Sequence, residues 1–306
     1  MELDLHKQFR VDIKEHLVRF IFFSFAFLSV ITTVGIVVVL LADSAIFFSE
    51  VSIFEFFTGT KWSPTIRPES FGVLPLISGT LTFTLVTSLI AIPTGLLAAI
   101  YLSEYANEGV RSVLKPALEV LAGIPTVVYG YFALVYITPI LKGFIPQLST
   151  FNVLSASIVV GIMIIPTIAS ISEDAMRAVP DTLRHAAFGL GVTKFQVTTS
   201  VVVPSALSGI VSSFILGISR VIGETMAVTI AGGNRSRMVN WLKPGETLFE
   251  PVQTMTAAMV EIGVSDVTGD SVAYRSLFAV GLTLFAMTMV LNMVSAYIKR
   301  KYREKY

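Results

Sequence analysis

The sequence predicts an all-α polytopic membrane protein with six membrane-crossing helices, and three observations carry that prediction. The chain is 54% hydrophobic and only 14% charged, whereas a soluble domain carries about 25% charged residues. Its charges are clustered, so the windows 20–41, 70–103, 120–141, 143–172, 195–219 and 276–298 contain none. Roughly 20 predominantly apolar residues span a bilayer as a helix, and each window is long enough for one crossing. Finally, there is no cysteine and only His6, His16 and His185 for histidine. That excludes disulfides, thiol chemistry and Cys/His metal sites. The net charge of +1 says nothing about nucleic acid, and none is expected as a partner.

Taken in order, residues 1–19 alternate charges with Leu3, Leu5, Phe9, Ile13 and Leu17. They read either as an amphipathic helix lying in the interface or as a frayed basic leader. Span one, near 20–41, follows about 19 polar residues and lacks a convincing small-residue cleavage site, so it reads as a retained anchor. The outer loop 42–78 holds Trp62, Pro64, Pro68 and Pro75 and reads as ordered irregular structure. Spans two, three and four are expected near 79–102, 117–141 and 153–172, with a short loop at 142–152. Span five is expected at 206–231 and span six at 276–298. Between them, 232–275 is punctuated by Gly232, Gly233, Pro244 and Gly245, and 250–263 suits a short helix on the outer face. Pro93, Pro125, Pro166, Gly217 and Gly223 fall within spans, where bilayer helices tolerate them. The expected division is residues 1–53, with the N-terminal helix and first span, and a transmembrane domain over 54–306. No internal repeat or low-complexity segment is evident.

Charge sets the orientation. With the N-terminus inside, the inner segments carry 14 basic residues and the outer ones seven, Arg220 being left within a span. Positive charge is retained on the cytoplasmic side during insertion. A multi-pass protein of the plasma (inner) membrane, embedded in its lipid and with both termini cytoplasmic, is therefore expected. The segment 173–205 is then cytoplasmic.

That segment contains HAAFGLGVTKFQVTTSVVVP at 185–204. Asp181, after Pro180, is placed to cap a helix beginning at Thr182, and Gly189 or Gly191 to end it in the left-handed conformation. Thr193 can cap a second helix, and Pro204 marks the bend back into the membrane. The result is a helical knob whose small alanines, on one face, suit a helix-in-groove contact.

Its spacing resembles that of ABC importer permeases: E-A-A, three residues, Gly, nine residues, I-x-L-P. Here the positions are His185, Ala186, Ala187, then Gly191, then Val201 to Pro204. His185 replaces the glutamate, and valines replace the isoleucine and leucine. Further segments, LEVLAGIPTVVYGYFAL (118–134) and LGISRVIGETMAVTIAGGN (216–234) above all, are similar to PstC-type phosphate permeases across most of 54–300. The resemblance implies the MetI-like, type I ABC importer permease architecture, with a cytoplasmic coupling helix between helices four and five. It implies that His185, Ala186, Ala187, Gly191 and Pro204 dock on an ATPase. It also implies partners: a second homologous permease (PstA-like), two ATPase chains (PstB-like) that hold ATP and Mg, and an external phosphate-binding protein (PstS-like). The first and third outer loops are candidate docking surfaces for that protein, or caps on the bundle.

Arg220 and Glu224 are four apart in span five, with no other charge between 195 and 234. A charged side chain at a helix centre costs about 2.5–3.5 kcal/mol on insertion scales and is a functional candidate by default. Arginine's planar fork matches phosphate oxygens and stays protonated. Glu224, one turn away on the same helix face, is placed to neutralise Arg220 when the path is empty. The other reading is an i,i+4 ion pair that only holds helices together. The resemblance assigns the matching pair to phosphate passage. Thr225 adds a hydroxyl that serves the path or bonds its own helix. Glu119 is near enough to the interface to snorkel or cap, and Asn234 belongs to a turn.

No GxxxxGK[ST] occurs anywhere, so no nucleotide site, cofactor or catalytic residue is expected in this chain. The function expected is that of a permease subunit of an ATP-driven phosphate importer. The alternatives are a permease for sulfate, molybdate or tungstate, and an ATP-independent secondary carrier.

Overall fold

A computed structural model describes the backbone of residues 2–301 and the side chains of 15–298. Helix α1 (Glu2–Glu50) is continuous. Leu3, Leu5, Phe9 and Ile13, whose side chains underlie the interfacial reading, lie outside the described side chains. The membrane-length part of α1, Glu15–Glu50, buries none of its apolar window against the rest of the chain. The next segment forms a small cap, with α2 (Ile53–Thr58) and an antiparallel ribbon of β1 (Trp62–Ser63) and β2 (Ser70–Phe71). Phe47 meets Phe56 and Phe71 edge-on at 5.6 and 5.4 Å, and with Trp62, Leu76 and Ile262 these rings build a buried cluster at that end of the bundle.

Helix α3 (Leu74–Ile100) begins earlier than the expected 79, with Pro75 in its first turn, where the missing amide hydrogen has no helical partner to lose. It runs on through a π-turn at Tyr101–Tyr105, in which Ala106 N donates to Tyr101 O at 2.8 Å. Span three is expected at 117–141, but residues 117–123 belong to a separate amphipathic helix, α4 (Glu108–Gly123), which has no buried residue. The membrane-length helix is Thr126–Phe144, built from α5 (Thr126–Phe132), a π-turn and α6 (Thr138–Phe144). The charge-free window hides the break because its cause is backbone geometry. Pro125 forces Ile124 into an extended conformation (φ −68°, ψ 131°), the restriction proline places on the residue before it.

Helix α7 (Val153–Arg177) starts at Asn152, whose side chain accepts from Ser155 N at 2.7 Å. It is the central helix, with 61% of its membrane-length window buried. Its contact with α3 is close at Gly95, where a Cβ would come within 2.8 Å of Ile168 Cγ2. Phe83, Val160, Met163, Ile164, Ile168 and Val228 form the bundle's core around it.

A hairpin follows, of α8 (Asp181–Gly189) and α9 (Lys194–Val197), then a π-turn and α10 (Val203–Ser205). The segment Lys194–Ser205 meets α11 (Leu207–Ile222) at 71°. Span five, expected whole at 206–231, is broken: α11 ends at Ile222 and α12 (Met226–Ala231) resumes after Gly223–Thr225. The described residues therefore supply five helices long enough to cross, or six if the bent pair Lys194–Ser205 and Leu207–Ile222 counts as one span. The chain closes through α13 (Pro244–Phe249), α14 (Met255–Val264) and α15 (Val272–Lys301). Helix α14 is the short helix expected at 250–263, and it packs into the bundle. Met255, Ala257, Ala258 and Ile262 are buried, and Met255 N donates to Thr80 Oγ1 of α3 at 2.9 Å.

Candidate functional site

Arg220 lies in the last turn of α11, and its side chain is exposed from the single chain. Nη1 donates to Thr167 Oγ1 of α7 at 3.0 Å. Among the described residues it pairs with no carboxylate. Thr167 also lines a cavity of about 240 Å³ between α4 and α7, together with Lys115, Glu119, Ser170 and Glu173. Glu173 there is fully buried and paired with Arg111 Nε at 2.6 Å and Lys115 Nζ at 3.3 Å. Burial pulls the Lys115 ammonium down, but its hydrogen bond to Asp174 and the charge of Glu173 outweigh that and leave it above the ordinary lysine range.

The structure corrects the expected relation between Arg220 and Glu224. They do not share a helix face, because the helix stops between them. Glu224 is 7% exposed, and its Oε1 accepts from Ala227 N at 3.2 Å, in the first turn of α12. Its backbone carbonyl accepts from Thr256 Oγ1 of α14 at 2.8 Å. A side-chain acceptor that satisfies nearby amide hydrogens competes with helix continuation. Thr225 Oγ1 donates to Gly223 O at 3.2 Å, so it bonds its own backbone, the second of the two roles open to it. It lines a different cavity, of about 430 Å³, with Gly223, Thr256 and Met259. Arg220, Glu224 and Thr225 therefore do not converge on one point. Arg220 converges with Thr167 instead, whose only mark in the sequence is a hydroxyl beside Pro166.

At the hairpin, Thr193 caps α9 as expected, in a reciprocal capping box. Thr193 N donates to Gln196 Oε1 at 2.8 Å, and Gln196 N donates to Thr193 Oγ1 at 3.4 Å. Gly191 takes φ +78°, the left-handed turn that glycine enters cheaply. Asp181 does not cap; it is the first residue of α8, and its carboxylate accepts from Arg184 at 3.1 Å. The alanines do not share an outward face. His185 and Ala186 are exposed, while Ala187 is buried among Met176, Val179, Val197 and Val202. Pro204 is exposed within α10, just before the 71° bend. The hairpin instead presents Phe188, Leu190 and Phe195, which are 44%, 85% and 67% exposed.

Over residues 91–304 the chain matches the family described as "Binding-protein-dependent transport system inner membrane component". The chain belongs to that family. The match takes in the hairpin, the broken span and Arg220, and leaves out α1 and the aromatic cap. Among curated relatives, the probable ABC transporter permease protein YqgH of Bacillus subtilis is 35% identical over 82% of this chain and 79% of its own length. The phosphate transport system permease protein PstC of Mesorhizobium japonicum is 33% identical over 80% and 78%. The inward-facing MetNI methionine ABC transporter superposes with a TM-score of 0.56 at 16% identity, over 76% of this chain and 97% of that one. A bacterial alginate ABC transporter gives 0.56 at 13% identity over 85% and 87%. These two likenesses show the fold alone. The chain is thus a multi-pass membrane permease subunit of an ABC importer, a class that works with ATPase and substrate-binding partners.

Proposed function

We propose that this permease carries phosphate, as one half of the translocation path of an ATP-driven importer. Arg220 carries the reading. It is a guanidinium inside a membrane span, held by one neutral hydroxyl and, among the described residues, left without a carboxylate partner. Such a group is expensive to insert and has donors to spare for an oxyanion. Its exposure from the single chain supports a path that a second permease chain completes. The relatives named PstC favour phosphate over other tetrahedral oxyanions, which Arg220 alone would accept. Glu224 acts on the path indirectly, by holding the break at Gly223–Thr225 open to rearrangement, and Thr225 lies within that break.

The hairpin is the ATPase contact in this reading, through His185, Ala186 and the apolar Phe188, Leu190 and Phe195. Ala187, Gly191 and Pro204 shape it. Both termini and the hairpin lie on the cytoplasmic side. ATP and its magnesium bind on the partner chains, and no step of hydrolysis occurs here. A PstS-like protein delivers the anion from outside, and PstA-like and PstB-like chains complete the complex.

The test is uptake of labelled phosphate into vesicles that contain the whole complex, with unlabelled sulfate or molybdate in excess. ATP-dependent uptake that ignores both competitors is expected. Uptake that persists without ATP would overturn the motor-coupled reading, and competition by molybdate or sulfate would change the cargo.

A further inference from the structure

Arg184 stands directly before the hairpin's motif, and no motif includes it. It is only 14% exposed, and four acceptors surround its guanidinium. Nη2 donates to Glu104 Oε1 at 3.0 Å and to Met176 O at 2.8 Å. Nη1 donates to Val179 O and to Asp181 Oδ1, the latter at 3.1 Å. Met176 O, in the last turn of α7, also accepts from Val179 N at 3.2 Å, and Val179 O lies just beyond that helix end, where the dipole is negative. Glu104 lies 80 residues away in the π-turn that ends α3. It is itself 8% exposed and also accepts from Ser103 Oγ at 2.9 Å. One side chain of the hairpin thus grips the ends of both α7 and α3. A second contact reaches the same π-turn: Lys194 Nζ of α9 stands 5.0 Å from the centre of the Tyr105 ring.

We infer that Glu104 and Arg184 form a clasp that passes displacement of the hairpin to α3, with Lys194 and Tyr105 as its second point. The apolar cluster beneath the hairpin, with Ala99, Met176, Ala187, Val197 and Ile210, cannot do this alone. Apolar burial is non-directional and allows sliding, whereas a guanidinium fork fixes both distance and angle. The receiving end of α3 suits the role. A π-turn is a local loosening of the i→i−4 ladder, frequent at functional sites, and can take up a small shift without unravelling the helix. Glu104 and Arg184 are positioning residues; neither touches the anion. The inference rests on the hairpin being the ATPase contact.

The experiment uses the assembled transporter in vesicles with its binding protein, comparing Glu104→Gln with the unaltered complex. ADP formed and labelled phosphate taken up are measured in the same sample. ADP formation should hold near its original rate, while phosphate moved per ADP falls about tenfold, the lower range for losing one charge-assisted hydrogen bond. Glu104→Asp should recover part of that ratio. In the same complexes, amide exchange across 181–191 should quicken in Glu104→Gln. An unchanged ratio, or uptake and ADP formation falling in parallel, would overturn the clasp. If the unaltered complex moves no phosphate but still forms ADP, the cargo reading fails. The clasp then stands or falls on whether exchange across 181–191 quickens.

Discussion

Arg184 and Arg220 are the same side chain in opposite circumstances. Arg184, at the foot of the hairpin, has two carboxylates and two helix-end carbonyls around it. Arg220, in the broken span, has one threonine hydroxyl. The first uses its donors to tie the end of α7 and the start of α8, which are neighbours in the chain, to Glu104, 80 residues from Arg184. The second keeps most of its donors free, in the part of the protein where an unpaired charge is hardest to retain. An arginine saturated within its own chain is a structural joint; an arginine left open is waiting for a ligand or a partner. Removing the first should therefore damage the fold as well as coupling, and removing the second should damage transport alone.

The largest expected effect is on the joint. Arg184→Gln breaks a mostly buried ion pair and leaves Glu104 without its cation, a change that costs about 3–5 kcal/mol. Thermal unfolding of the purified complex should shift down clearly, and an Arg184→Gln protein as stable as the original would dissolve the contrast. Next is Arg220→Gln. Loss of a charged donor to an oxyanion, at ~3 kcal/mol, corresponds to about 100-fold in uptake, with the unfolding temperature essentially unmoved. A stability loss equal to that of Arg184→Gln would instead make Arg220 a second joint.

Smaller effects sharpen the picture. Thr167→Val keeps the shape and removes the one hydroxyl that orients Arg220. About 1 kcal/mol should appear as a several-fold higher phosphate concentration for half-maximal uptake, read from a concentration series. Thr193→Ala removes the capping box of α9, worth about 1 kcal/mol. It should raise amide exchange locally, at Lys194–Val197, and leave Arg220-dependent transport unaltered when ATP is saturating. Exchange spreading into α11 would show that the hairpin and the broken span are less separable than their arginines suggest.

Part of this was legible in the residues. Spans one, four and six were readable as charge-free windows because lipid contact imposes apolar composition directly. The hairpin was readable from Pro180, Gly189, Gly191 and Thr193, whose backbone preferences act locally. Arg220 stood out because charge is so rare in a span. The start of span three was missed because Pro125, tolerable within a bilayer helix, here ends one helix and opens another. The break in span five was missed because it depends on Glu224 reaching Ala227 N and on Thr256 of α14 holding Glu224 O, contacts spread over 32 residues.

The residues alone determined that the chain crosses the membrane repeatedly, that a helical hairpin interrupts it before Pro204, and which charge cannot be ignored. Those properties follow from solvation and local backbone energetics, which each residue carries wherever the chain goes. Only the tertiary structure decided that Arg220 faces Thr167 and not Glu224, that α14 packs into the bundle, and that Arg184 meets Glu104. Partner choice for a directional hydrogen-bonding group depends on which elements are brought within about 3 Å, and spacing along the chain does not encode that distance.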